Sequence, residues 1–355
     1  MNRRRAVSPI AIWAGLFTLY FVWGSTYIGI RLSVETIPPF LMAGVRFLIA
    51  GLILIGWEIV ATRRLREDPT VAAADRPHLP TRREWRDSAI VGGALLFGGM
   101  GMVALGETMV PAGIAAIFIA TMPLWVAVLG RVFFDERLPT AALAGIVIGL
   151  IGVFILVAPL GRPDGSSFDP LGIFVLLLSP LFWGAGSVYS SHRARLPRRP
   201  LTATGLQMLC GGGLLLVGGV VVGELRTFDV ASVSARSWLG LLYLITVGSL
   251  VGFTTFVWLL RVAPLPRVAT YAYVNPVVAF VLAGLLLGET IEPRTVVAGA
   301  VIIFAVALIV TARSRASGDA LEVTPATDRP DQQRATQGPG ADEAALVSAR
   351  AIVPD

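Results

Sequence analysis

Ten stretches of this chain are each about twenty residues long and almost wholly apolar, near 11–30, 37–60, 88–107, 110–134, 140–158, 171–190, 203–223, 239–260, 264–287 and 294–312. At about 1.5 Å of rise per residue, a helix of that length covers the roughly 30 Å hydrocarbon core of a bilayer. Composition agrees: 55% of the residues are hydrophobic and 15% charged, where soluble domains carry roughly 25% charged residues. No soluble fold hides that much apolar surface, so the expected class is an all-α membrane protein of ten transmembrane helices with the lipid bilayer as its partner. An isoelectric point near 10.2 would suit a nucleic-acid partner. The basic residues, however, lie in short clusters between apolar runs, which reads as membrane topology and no nucleic acid. All 29 are Arg, as a coding bias would produce. A single Cys210 supports no disulfide framework, and His78 and His192, both expected in polar loops, make no metal site. No cofactor is expected.

The first run follows Arg3, Arg4 and Arg5 as a signal peptide would, but it contains Trp23 and Tyr27 and no small-residue cleavage site, so it reads as a retained span. With the N-terminus (1–10) in the cytoplasm, the inner segments hold twenty Arg and the outer loops five, and this bias places both termini in the cytoplasm. The long internal loop, 61–87, becomes cytoplasmic. The polar composition of 313–355 predicts a disordered cytoplasmic tail.

Two segments align without a gap over nearly fifty residues at a constant offset of 153, so that Pro111 meets Pro264, Pro123 meets Pro276 and Glu136 meets Glu289. Earlier in each half, FVWGSTY pairs with LFWGAGSVY, which sets Trp23 against Trp183. Residues 11–158 and 171–312 therefore read as two copies of a five-helix unit. An odd number of spans turns the second copy upside down. Such inverted repeats suit alternating access, because two similar halves can exchange conformations around a site between them.

At these landmarks the sequence resembles the EamA family of the drug/metabolite transporter superfamily, and most of all its bacterial inner-membrane metabolite or amino-acid exporters. The resemblance rests on WGSTY from Trp23, IPPFLMAGVRFLIAG from Ile37 to Gly51, the stretch from Pro123 to DERLP ending at Pro139, and YAYVNPVVAF through Gly288-Glu289-Thr290. It covers roughly Trp13 to Ala312. It implies a central cavity framed by spans one to four and six to nine, with five and ten peripheral. The small four-span multidrug members use a carboxylate in their first span, and the region around Trp23-Gly24-Ser25 has no acid. Their proton antiport is therefore not carried over.

Several residues within the runs are candidates for a solute site. Arg46 sits about 13 Å into the core, where burial costs at least ~2.5–3.5 kcal/mol. It either faces a polar cavity or tethers neighbouring helices through backbone carbonyls. Trp23 and Tyr27, like Trp183 and Ser187, are four apart and share a helical face, which suits either a solute or helix packing. Tyr271 and Asn275 form a polar pair directly before Pro276, and Pro123 and Pro276 are candidate hinges, since proline frees a carbonyl one turn back. The second half should supply most hydrogen bonds to solute. Glu136 and Glu289, with Glu107 resembling them, stand at span ends where carboxylates stay hydrated, and capping or a salt bridge with Arg137 or Arg294 is the expected role. The glycines from 92 to 101 and the Gly145 to Gly149 spacing permit close helix approach.

No HExxH, GxSxG or GxxxxGK[ST] occurs, which argues against an enzyme and against ATP-driven transport by this chain alone. The expected function is a secondary transporter that exports small-molecule solutes such as amino acids by alternating access. Multidrug or organic-cation efflux is the alternative, and a receptor or channel the alternative from another class. Monomer and homodimer both remain open. With no Asp or Glu expected in mid-span, facilitated or exchange transport is expected rather than a proton carrier.

Overall fold

A computed structural model of the chain describes residues 8–67, 78–136, 138–157, 169–263, 265–268, 270–290 and 292–322. Residues 68–77 of the 61–87 loop, Arg137 as a partner for Glu136 and residues 323–355 of the tail fall outside them; residues 61–67, 82–87 and 313–322 are helical where a loop and a disordered tail were expected. Residues to Arg313 form one compact unit and those from Ser314 a second.

Among the described residues there is no strand, and the apolar runs are helices: α1 (Pro9–Ser33), α2 (Pro39–Glu67), α3 (Arg82–Gly106), α4 (Ala112–Phe134), α5 (Thr140–Val157), α6 (Pro170–His192), α7 (Pro200–Val221), α8 (Ala235–Val262), α9 (Tyr271–Leu287) and α10 (Pro293–Glu322). Eight are long and apolar enough to cross a membrane; α5 and α9 are shorter apolar helices. The run expected from 264 starts as the separate turn Leu265–Val268, and α9 begins only at Tyr271. His192 lies at the end of α6 rather than in a loop. Its ring stacks on Phe134 at 4.1 Å and its Nε2 lies 3.1 Å from Glu136.

Short polar side chains start the helices. Ser8 accepts from the Ala11 amide at 3.2 Å, with Pro9 at the first helical position, where no N–H is missed. Thr81 and Glu84 form a capping box at α3, and Ser234 accepts from the Ser237 amide at α8. The ends of α4 and α9 match one another. Asp135 (φ 51°) and Gly288 (φ 66°) turn left-handed, and the amides of Glu136 and Glu289 then donate back to Gly130 O and Ala283 O at 3.2 and 3.3 Å.

α3 and α8 each contain a π-helical stretch, Gly93–Gly101 and Leu244–Val251. The wider turn shifts side-chain direction along the helix and recurs at functional sites. α4 is broken at Ala120–Thr121, just before Pro123, whereas Pro276 lies inside the continuous α9. Pro123 has no N–H, and the Thr121 hydroxyl takes the Phe118 carbonyl at 2.7 Å, so the ladder is interrupted there.

Glycine lets backbones touch at the α3–α7 crossing. A Cβ on Gly92 would lie 2.3 Å from Gln207 O, and one on Gly211 would lie 2.6 Å from Gly92 O. Phe40, Met42, Phe47, Leu96, Leu215 and Leu244 fill the core between α2, α3, α7 and α8, and Phe118, Leu176 and Ile302 a second core between α4, α6 and α10. Phe17, Trp57, Phe154, Val217 and Leu285 point outward, an arrangement unfavourable in water and favourable in lipid.

Candidate functional site

One cavity of ≈ 90 Å³ gathers six of the seven residues expected to meet solute: Trp23 and Tyr27 from α1, Arg46 from α2, Trp183 from α6, and Tyr271 and Asn275 from α9. The seventh, Ser187, lies outside it. Its hydroxyl donates to the Trp183 carbonyl of its own helix at 2.8 Å, the usual resting place of a helical serine.

Arg46 is 3% exposed, and its Nε donates to Ser249 Oγ at 2.9 Å, which joins α2 to the π-helical stretch of α8. The guanidinium carbon also sits 4.8 Å from the centre of the Phe47 ring. The tether expected through backbone carbonyls is thus a single side-chain hydroxyl, and Arg46 lines the cavity as well.

Trp23 anchors an aromatic wall, with ring centres 5.4 Å from Phe253, 5.1 Å from Phe256 and 5.0 Å from Tyr271. The contacts with Phe253 and Tyr271 are edge-to-face and that with Phe256 is tilted; together they hold the ring in one orientation and leave its remaining surface as a rigid platform. With its amide oriented to satisfy its neighbours, Asn275 donates to Tyr20 O at 3.2 Å and Tyr271 O at 3.3 Å, which commits the NH₂ to the protein. The polar groups come from both halves: Thr26, Tyr27 and Arg46 from the first, Tyr271 and Asn275 from the second.

Thr26, Phe47, Met100, Val103, Ile119, Met122 and Phe253 also line the cavity and were not singled out in the sequence. A signal for three of them was present. The offset that joins Pro123 to Pro276 also joins Met122 to Asn275 and Met100 to Phe253.

The three carboxylates at helix ends behave differently from one another. Glu289 caps α4, accepting from the Ala112 and Gly113 amides at 2.7 and 3.0 Å, so capping accounts for it. Glu136 pairs with Arg313 at 2.5 Å and with His192. Arg294 donates Nε to Ile155 O at 2.7 Å. Glu107, expected to stay hydrated, is instead 0% exposed, with both carboxylate oxygens lacking a hydrogen-bond partner among the described residues. The reason is the close approach of α6, where a Cβ on Gly106 would lie 2.5 Å from Leu176. A second cavity, ≈ 320 Å³, opens beside Glu289, Thr290 and Glu292, and none of the expected solute residues lines it. No cluster of His, Cys, Asp and Glu suited to a metal occurs among the described residues.

The profile of the EamA-like transporter family matches the chain twice, over residues 10–158 and 170–311. The chain is 36% identical over 301 residues to the uncharacterized inner membrane transporter YedA of Escherichia coli strain K12, an alignment covering 84% of this chain and 90% of that one. It is 27% identical to a probable amino-acid metabolite efflux pump of Salmonella typhimurium, covering 80% and 89% respectively. A solved crystal structure shares the fold with a TM-score of 0.55 at 21% identity, covering 86% of this chain and 99% of that one. With a family match along nearly all of its apolar length, and helices of membrane-crossing length and composition, the chain belongs to the EamA-like transporter family of membrane proteins.

Proposed function

We propose that this chain is a secondary transporter that exports small metabolites, amino acids foremost, across the inner membrane by alternating access between two inverted five-helix units. The observation that carries this reading is the shared cavity, where an arginine, an aromatic wall and an amide drawn from both halves converge. Arg46 attracts a carboxylate, Trp23 and Trp183 offer broad apolar contact, and Asn275 and Tyr271 add polar atoms, a lining suited to small zwitterions. A relative named as a probable amino-acid metabolite efflux pump points to the same solute class.

Support for the inverted repeat comes from its pairs. Trp23 and Trp183, Met100 and Phe253, and Met122 and Asn275 occupy matching positions in the two halves, and each pair lines the cavity. The left-handed caps Asp135 and Gly288 and the N-caps Thr81 and Ser234 follow the offset of 153 that also joins Met100 to Phe253 and Met122 to Asn275. The two shorter helices, α5 and α9, fall at the low end of the roughly 17–25 residues that span a bilayer, which supports counting them with the eight longer helices as ten spans, and the Arg bias supports cytoplasmic termini. Pro123, beside the break in α4, and Pro276 in α9 are the hinges of this scheme.

Flux of radiolabelled L-amino acids into vesicles containing the purified chain tests the proposal. Saturable, gradient-responsive uptake is expected; unsaturable flux indicates a channel, and binding without flux a receptor. The Trp23, Phe253, Phe256 and Tyr271 rings also favour organic cations through their faces, so a quaternary ammonium belongs in the same assay. Arg46 opposes that second reading by charge repulsion.

A further inference from the structure

Glu107 has no part in the cavity lining, yet it stands one helical turn beyond Val103, which does line it. Its backbone is anchored on both sides: the amide donates to Val103 O at 2.9 Å, and the carbonyl accepts from Arg31 Nη1. Neither oxygen of its carboxyl group has a hydrogen-bond partner among the described residues. The charged and titratable groups that act on it are Tyr27 and Arg31 from α1, Arg46 from α2 and Glu289 from the end of α9, while α6 packs through Leu176 against the adjoining Gly106. Each charged neighbour has a hydrogen-bond partner other than the carboxyl group. Arg31 holds the Glu107 carbonyl, Arg46 holds Ser249, and Glu289 holds the Ala112 and Gly113 amides. A buried carboxylate with neither oxygen satisfied is a costly arrangement, and a bound proton removes its charge.

We propose that Glu107 is a proton-binding site linked to solute binding at Arg46. The carboxyl oxygen takes its proton from solvent water and returns it to solvent water, with no other bond made or broken. While Glu107 is ionised, its negative charge offsets that of Arg46; once it is protonated, Arg46 presents its full positive charge to a solute carboxylate. Linkage is reciprocal, so a bound carboxylate increases the proton occupancy of Glu107. Acidification therefore strengthens the binding of carboxylate solutes and weakens that of organic cations. The proposal rests on solute binding in this cavity as set out above, and it replaces the expectation of transport without a proton carrier.

Difference infrared spectroscopy of the full chain in nanodiscs, titrated with pH, reads the site without any solute. A protonated-carboxyl band that disappears on alkalinisation is expected, lost in Glu107→Gln and restored at a shifted frequency in Glu107→Asp. A titrating band that persists unchanged in Glu107→Gln overturns the proposal. Should that variant fail to insert, an unshifted band in Glu107→Asp, or no titrating band in the wild type, overturns it equally. Linkage is read as proton uptake from weakly buffered solution when the labelled L-amino acid pool is added, expected in the wild type and lost in Arg46→Gln. Binding of the pool without proton uptake refutes the linkage. A wild type that binds and moves none of the pool removes the transport reading, whereas the infrared band still decides the proton site.

Discussion

Arg46 is the residue whose environment separates the two solute classes. It is almost fully buried, its only hydrogen-bond partner among the described residues is Ser249, and it borders the cavity. Arg46→Gln keeps a donor and removes the charge, so transport of acidic and zwitterionic solutes should fall further than that of cations when both are measured in the same vesicles. Equal losses for the two classes would leave Arg46 as a link between α2 and α8. Asn275→Ala removes an amide that holds Tyr20 and Tyr271 carbonyls, and Trp183→Ala removes a contact face. Each should weaken apparent affinity by the equivalent of about 1 kcal/mol, roughly five-fold, with expression unchanged. Competition binding with the labelled pool measures this. An unaltered affinity in both variants would mean the solute binds elsewhere.

Among the elements, α4 depends on a partner far away in sequence. Its first amides are satisfied by Glu289, which stands just past the left-handed end of α9. Glu289→Ala should lower the thermal midpoint in detergent, with a loss of about 1–2 kcal/mol typical of a removed helix cap. An unchanged midpoint would show that water replaces the carboxylate without cost. The α3–α7 crossing is stricter, because Gly92 and Gly211 meet backbone oxygens that no side chain rotation can move. Gly92→Leu is expected to reduce the yield of folded monodisperse protein sharply, read by size-exclusion chromatography. Gly56, with open space around it, should tolerate Ala.

For the whole molecule, the inverted arrangement makes a claim about sides of the membrane. Single cysteines introduced at Thr108 and Thr290, both exposed, should react with an impermeant maleimide from outside. Those at Leu79 and Ser191, also exposed, should react only after permeabilisation. Cys210→Ala supplies the background for all four. Labelling of Thr108 and Thr290 from opposite sides would overturn the inversion.

Helical class and most helix positions were legible because hydrophobic length is a one-dimensional property, read directly from runs of about twenty residues. Six cavity residues were legible for a related reason: an arginine, an amide or paired aromatics inside an apolar run need a partner or a cavity. What depended on packing was not legible. Whether Ser187 faces solute or its own backbone, and whether Phe253 borders the cavity, follows from helix rotation and from the π-helical stretches, which shift side-chain direction without any mark in hydropathy. The sequence by itself determined that this chain folds as membrane-length helices, with polar atoms that must converge. Only the tertiary structure decided that Glu107, alike in sequence to Glu136 and Glu289 at the ends of apolar runs, is sealed while they are satisfied, because α6 closes over Gly106 beside it.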